Sequence, residues 1–245
     1  MSGEDIITRV NSGALGTVLF ATQFGHLWLT RLIIGLVFGI SLWLLAHTSG
    51  RRSILAASLA WLAGIELVSL AWVGHAAAGT GGYEVVHLLG DALHLLTSAF
   101  WPGGLVPLST FLFVLLKSSH AGALGTAALV VRRFSTSSLI AVTVMALTGL
   151  LNSVFLVGNV QVLLTTSYGQ LLTSKLMLFL LMVGFGAWNL LVLKPRLTVD
   201  LRAVHIAQQE IVIRSLLRNV LCEIALGTGV ILIVGLLGNT PPPMR

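Results

Sequence analysis

Charged side chains are scarce in this sequence of 245 residues: 9% are Asp, Glu, Lys or Arg, while 56% are hydrophobic. Soluble globular domains carry a charge on about a quarter of their residues, so an ordinary soluble domain is excluded. Several stretches of about 20 residues are almost free of charge, which is typical of membrane-spanning helices. The sequence therefore predicts an all-α, polytopic membrane protein in which residues 1–245 form a single transmembrane domain.

Cysteine is also nearly absent, since Cys222 is the one cysteine of the chain. A single cysteine in an apolar run can form neither a disulfide framework nor a cysteine-based zinc site within the chain. The opening residues, MSGEDIITRV, lack the basic start and apolar core of a signal peptide. No phosphate-binding loop and no nucleophile with a suitably spaced base are present, so we do not expect an enzyme.

Apolar runs predict six membrane-spanning helices. We place them near residues 27–46, 54–73, 84–117, 138–157, 171–193 and 216–237, after a mixed segment, residues 1–25, that suits a short interfacial helix. The third run is longer than a hydrocarbon core of about 30 Å requires, so its first turns should stand in the interface. Its sequence Trp-Pro-Gly-Gly at residues 101–104 is expected to kink it.

The basic residues divide unequally between the two sides of the membrane. With alternating spans, one side receives Arg51, Arg52, Lys117, Arg132, Arg133, Lys194, Arg196, Arg202, Arg214 and Arg218. The positive-inside rule places this side in the cytoplasm, so both termini and residues 74–84 face outward. The formal charge of +6 follows from this topology, and we do not take it as a sign of nucleic-acid binding.

Histidines concentrate around the start of the third span. His87, Asp91 and His94 follow one another at i, i+4 and i+7, so on a helix they share one face. A glycine-rich turn follows His75 and could fold it back towards that face, and His26 precedes the first span at the same membrane level. Imidazoles and a carboxylate gathered in this way can hold a transition metal or ligate a haem. The alternative is a set of solvated interface residues at a helix end.

Among the polar residues inside apolar spans we single out the ionisable Glu66, Lys175 and Glu223 and the amide Asn152. A charge at the centre of a bilayer costs roughly 2.5–3.5 kcal/mol on insertion scales, so such residues usually face the bundle interior or water. They predict a polar pathway for an ion or a proton. The alternative is structural: pairs that fix helix packing, and for Asn152 an interhelical hydrogen bond.

Four stretches carry a likeness to a known family. They are TQFGHLWLTRL (22–32), GHAAAGTGG followed by GDALHLLTSAFWPGGLVPL (74–108), the long run from RRFSTSSLIAV to LVLKPRL (132–197), and RSLLRNVLCEIALGTGVILIVGLLGNTPP (214–242). In this order they cover most of the chain, and they resemble the copper-resistance D (CopD/PcoD) family of bacterial inner-membrane proteins. Members look like eight-helix proteins, so with six predicted spans we expect this chain to correspond to the family without its first two helices.

The resemblance implies copper handling at the inner membrane, with copper delivered by a periplasmic copper-binding partner. The residues that match the family's polar positions are His75, Asp91, His94, Trp101, Asn152, Lys175 and Glu223. We therefore expect a copper-transport protein that captures a copper ion with His75, His87, Asp91, His94 and His26 at its periplasmic face.

Two other functions remain open from the sequence. One is a b-type haem protein, acting as an electron-transfer or anchor subunit, with His75 and His94 as axial ligands. The other is a structural subunit packed against other membrane subunits in a larger complex within the lipid bilayer, whose polar residues only hold helices together.

Overall fold

The computed structural model of the protein describes residues 14–47, 52–72, 84–117, 123–157, 160–197 and 203–240. All elements in these ranges are helical, and no strand occurs among them. The α-helices are α1, Ala14–Ala21; α2, Gln23–His47; α3, Arg52–Ser69; α4, Glu84–Lys117; α5, Ala123–Val157; α6, Val160–Thr165; α7, Ser167–Trp188; and α8, Ala203–Gly238. Helix α3 continues as a 3-10 turn, Leu70–Trp72, and α7 continues through a π-helical turn, Asn189–Leu193, into a 3-10 turn, Lys194–Arg196.

Six of the described helices are long and apolar enough to cross a membrane, which confirms the predicted number of spans. They are Gln23–His47, Arg52–Trp72, Val85–Lys117, Thr126–Ser153, Ser167–Arg196 and Gln209–Gly238. The third predicted run, residues 84–117, coincides with α4, which is continuous through Pro102 and Pro107.

The fourth span begins earlier than the predicted residue 138, because α5 already starts at Ala123. This part of α5 contains two arginines and leads into a run of four hydroxyl residues, 135–138. Three of the four hydroxyls bond within the helix; for example, Ser135 donates to the carbonyl of Val131 at 2.7 Å, and Ser137 to that of Arg133 at 2.9 Å. Hydrogen bonds of this kind allow serine to lie within a helix without a polar partner elsewhere.

The chain divides into two compact units, residues 1–96 and 97–245, with the boundary inside α4. In the first unit α2 packs against α3. Helix α2 buries only Gly25 and α3 only Leu59, while large side chains such as Leu36 and Trp61 are exposed. An exposed apolar surface of this extent is unsuited to water and is typical of a lipid-facing helix.

The second unit contains the larger core. One cluster of buried residues is built around Leu105, Leu112, Ile213 and Leu216, which come from α4 and α8. A second cluster consists of Trp101, Ala141, Met145 and Met182, from α4, α5 and α7. The indole of Trp101 meets the ring of Phe179 edge-on, with centroids 6.3 Å apart. These helices surround the polar residues described next.

Candidate functional site

A carboxyl group is buried near the middle of the last membrane span. Glu223 is 2% exposed and lies close to the centre of the span Gln209–Gly238. Its Oε1 accepts a hydrogen bond from Nδ2 of Asn189 at 2.8 Å, and Oδ1 of Asn189 accepts one from Nδ2 of Asn219 at 2.8 Å. Asn219 and Glu223 are one helical turn apart on α8 and so share a face. The three side chains form a directed chain of hydrogen bonds, which we call the Glu223 chain.

Asn189 reaches Glu223 from a distorted part of its own helix. The regular hydrogen bonding of α7 ends at Trp188, and a π-helical turn, Asn189–Leu193, begins at the asparagine. Single π-helical turns are uncommon and are frequent at functional sites, because they change the direction in which a side chain projects. Gly186, one turn earlier, lies next to the carboxylate: a Cβ there would be in ordinary van der Waals contact with Oε2 of Glu223, at 3.8 Å.

The carboxylate lines a cavity of about 140 Å³ inside the second unit. Most of the wall is apolar and comes from residues such as Trp101, Leu105 and Leu216, while polar atoms come from Ser135, Ser138, Asn189 and Glu223. Ser138 is 8% exposed, and its Oγ is buried with no hydrogen-bond partner among the described residues. Buried hydroxyls are nearly always hydrogen-bonded, so this atom indicates a position where a ligand or water belongs.

The first unit contains a separate ion pair between two spans. Nη2 of Arg31 on α2 lies 3.4 Å from Oε2 of Glu66 on α3, and Nη1 of Arg31 donates to the backbone carbonyl of Glu66 at 2.8 Å. The side chains are 18% and 21% exposed. The Arg31 guanidinium also lies 5.8 Å from the ring centre of Trp28. This pair explains how Glu66 is tolerated within an apolar helix, because the guanidinium offsets part of the cost of removing the carboxylate from water.

The predicted copper ligands fall partly within the described residues. His87, Asp91 and His94 all lie on α4, so the helix on which they share a face is present, and all three side chains are half-buried. His26 lies near the start of α2, where Nε2 is 3.0 Å from the carbonyl oxygen of Phe20 and therefore donates to it. His75 lies outside the described residues.

Within the described ranges, no group of three or more His, Cys, Asp and Glu side chains is placed to hold a metal ion. Because His75 is outside those ranges, the complete predicted set stays a prediction. Of the predicted polar pathway, Asn152 on α5 and Lys175 on α7 are half-buried within their spans.

Four polar residues had not been singled out from the sequence: Ser135, Ser138 and Asn189, which line the cavity, and Asn219, which bonds to Asn189. Asn219 had a recognisable signal, since it precedes Glu223 by four residues in a largely apolar helix. Asn189 stands alone in the run FGAWNLLVL and resembles any asparagine near a span end. Ser138 belongs to the run FSTSS, whose members look alike in sequence. Their importance comes from what α5, α7 and α8 bring together.

Comparison with known proteins identifies related sequences along nearly the whole chain. The family model described as "Copper resistance protein D" matches residues 128–237, and the one described as "Copper resistance protein D-like, N-terminal domain" matches residues 1–85. The Copper resistance protein D of Pseudomonas syringae pv. tomato is 31% identical over 230 residues, which are 91% of this chain and 70% of that protein.

Two further relatives are longer than the part that aligns. Inner membrane protein YebZ of Escherichia coli (strain K12) is 32% identical over 79% of this chain and 63% of its own length. Copper transport protein CutJ of Bacillus subtilis (strain 168) is 32% identical over 75% of this chain and 33% of its own length. No solved structure matches the chain.

Proposed function

The chain belongs to the copper resistance protein D family, and on this premise we propose that it is a multi-pass inner-membrane protein that binds copper at the periplasmic face and carries it across the bilayer. Copper is the cargo in this proposal. Relatives named for copper resistance, copper transport and the inner membrane support it. A periplasmic copper-binding protein would be its partner, and other membrane subunits are further candidates.

The observation that carries the proposal is the histidine-bearing face of α4. His87, Asp91 and His94 occur at i, i+4 and i+7 on a continuous helix, and the first two are one turn apart. Imidazole nitrogen and carboxylate oxygen are suitable copper ligands. The half-buried position of these side chains favours binding of a partly dehydrated ion over simple solvation of the residues.

His26 has the hydrogen bonding expected of a metal ligand. Its Nε2–H donates to the carbonyl of Phe20, which selects the tautomer with a lone pair on Nδ1. Histidines that bind metals commonly donate their second nitrogen to a backbone carbonyl in this way, because the bond orients the ring. We therefore include His26 in the capture site with His75, His87, Asp91 and His94.

Copper binding by the purified protein in detergent tests the proposal. We expect a defined copper stoichiometry at neutral pH, and an affinity at least about tenfold lower in each of His26→Ala, His87→Ala and His94→Ala. His47→Ala is the matched control. It ends the same helix, its Nδ1 is bonded to the carbonyl of Trp43 at 2.8 Å, and its distance along α2 places it at the opposite membrane face.

Two results would contradict the proposal. One is a wild-type protein that binds no copper. The other is unchanged affinity in the His87→Ala and His94→Ala variants. A visible absorption spectrum of the same sample addresses the haem alternative, because a Soret band would indicate bound haem in place of copper.

A further inference from the structure

We propose that the cavity beside Glu223 is a binding site for a small hard cation, either a proton or Na⁺, held by oxygen atoms of Glu223 and Ser138. The site lies within the second unit and shares no residue with the predicted histidine site. It therefore stands independently of the copper function and can be tested without copper.

The unused hydrogen-bonding capacity of Glu223 is the first observation. One oxygen of the carboxylate, Oε1, accepts from Asn189, and the structure gives Glu223 no other hydrogen bond or ion pair among the described residues. A carboxylate has acceptor sites on both oxygens. In a cavity with mostly apolar walls, a negative charge with one hydrogen bond is unfavourable. Binding of a cation or proton at Oε2 would neutralise that charge.

Ser138 provides the second, independent observation. It belongs to four consecutive hydroxyl residues on α5, and the other three donate to carbonyls four residues earlier, at 2.7, 3.1 and 2.9 Å for Ser135, Thr136 and Ser137. The Oγ of Ser138 is buried and has no such partner within the described part of the chain. Its hydroxyl is more than nine-tenths buried and lines the same cavity as Glu223.

The chemistry of the cavity selects the class of ion. The polar side chains among its lining residues are Ser135, Ser138, Asn189 and Glu223, with the indole of Trp101, and no lining residue contains sulfur. Carboxylate and hydroxyl oxygens prefer hard cations, whereas copper(I) prefers thiolate and thioether ligands. The volume of about 140 Å³ is far above the roughly 10–15 Å³ that one water needs, so an ion would keep part of its hydration.

Glu223 faces no other charged group in this cavity. None of the other lining residues, which come from α4, α5, α7, the π-helical turn and α8, is acidic, basic or otherwise titratable. Arg214, Arg218 and Cys222 of α8 line a separate groove, and Arg132 and Arg133 of α5 are exposed. Because no lysine or arginine lines the cavity, a cation that neutralises the carboxylate must come from solution.

Infrared difference spectroscopy on the protein in lipid nanodiscs, without copper, tests this site. We expect a carbonyl band of a protonated carboxylic acid that disappears as the pH is raised and is absent from Glu223→Gln. Glutamine keeps the acceptor for Asn189, so this variant preserves the hydrogen bond. Glu210→Gln is the matched control, since Glu210 lies on the same helix, is exposed and pairs with Arg214; it should keep the band.

The two ions are distinguished by adding Na⁺ at constant pH. Loss of the acid band with release of a proton to water identifies Na⁺ as the ligand, whereas a band that responds to pH alone identifies the proton. Ser138→Ala should shift the band, because it removes a hydroxyl from the cavity that the carboxyl lines; an unshifted band overturns the role of Ser138. Spectra of wild type that change with neither pH nor Na⁺, or that equal those of Glu223→Gln, overturn the site.

Discussion

Asn189 donates its side-chain amide to the carboxylate of Glu223 at 2.8 Å, across 34 residues of sequence. The oxygen of the same amide accepts from Asn219, so the orientation of Asn189 is set from both sides. An asparagine held in this way presents a donor, and never an acceptor, to the carboxylate. The Glu223 chain therefore supplies one fixed hydrogen bond to Oε1, while Oε2 lies near Gly186, which lines the same cavity.

Replacement of Asn189 by leucine should destabilise the protein. The change removes the donor to Glu223 and the acceptor for Asn219, and leaving buried polar groups unsatisfied costs about 1–3 kcal/mol each. Thermal unfolding in detergent measures the effect. Asn239→Ala is the control, because Asn239 is exposed and bonds only its own helix end, to Gly235 at 2.9 Å. If Asn189→Leu and the wild type unfold at the same temperature, the hydrogen bonds of the Glu223 chain do not stabilise the fold.

Removal of Arg31 should also destabilise the protein, by about 2 kcal/mol in Arg31→Ala. Removing one partner of a buried pair leaves the other charge, here Glu66, without a counterion, which costs about 3–5 kcal/mol in a fully buried site. Both side chains are about one-fifth exposed, so we expect a smaller loss of stability. The double variant Arg31→Met with Glu66→Met should recover much of the loss, since neither charge then remains.

The control for this pair is Arg214→Ala. Arg214 pairs with Glu210 four residues earlier on α8, with side chains 64% and 48% exposed, and exposed pairs of this kind contribute about 0–1 kcal/mol. The same thermal unfolding assay applies. If both arginine variants lose the same stability, burial of the Arg31–Glu66 pair is not the cause.

Gly25 should tolerate no side chain, although it lies in a helix where alanine is ordinarily favourable. A Cβ at this position would overlap the backbone carbonyls of Val18 and Leu19 in α1, and backbone cannot move aside as a side chain can. We expect Gly25→Ala to lower stability by about 1–3 kcal/mol and to weaken copper binding through the adjacent His26. Gly35→Ala on the same helix has open space around its Cβ and should change stability by less than about 1 kcal/mol; equal effects would argue against the predicted overlap.

Copper affinity should decrease as the medium is acidified. Protons and copper compete for the same imidazole nitrogens, so each histidine that must lose a proton on binding makes the affinity depend on pH. Titration of the wild-type protein with copper over a series of pH values measures this. The change in copper affinity per pH unit should be smaller in His94→Ala than in the wild type and unchanged in His47→Ala. A pH-independent affinity would mean that histidines do not bind the ion.

Both termini should lie in the periplasm. The prediction follows from the even number of spans among the described residues, six, and from the concentration of basic residues on the alternate side. Alkaline phosphatase fused to the C-terminus should be active, because this reporter folds only outside the cytoplasm, and a fusion within residues 118–122 should be inactive. The reverse pattern would place the histidine-bearing end of α4 in the cytoplasm and remove the proposed capture site from the periplasm.

The sequence was sufficient for the membrane class and for the number of spans, and it bounded α4 correctly. It also singled out Glu66 and Glu223 as ionisable residues in apolar runs, since their cost in lipid marks them in any sequence. Helix α5 starts at Ala123, before the predicted fourth run, and the composition of residues 132–138 does not show that serine and threonine there bond to carbonyls of their own helix. The sequence also gave no indication that Arg31, four residues inside the first predicted span, would pair with Glu66.

Hydrophobicity is a local property, so the amino-acid sequence alone determined that this chain is a bundle of membrane-spanning helices, and the order of its segments was enough to show its family. The partners of the polar residues were decided only by tertiary structure. Asn189, Asn219, Ser138 and Glu223 come from three different segments of chain. Hydrogen bonds are directional and short, so which of these groups is satisfied and which one faces a cavity depends on how α5, α7 and α8 pack.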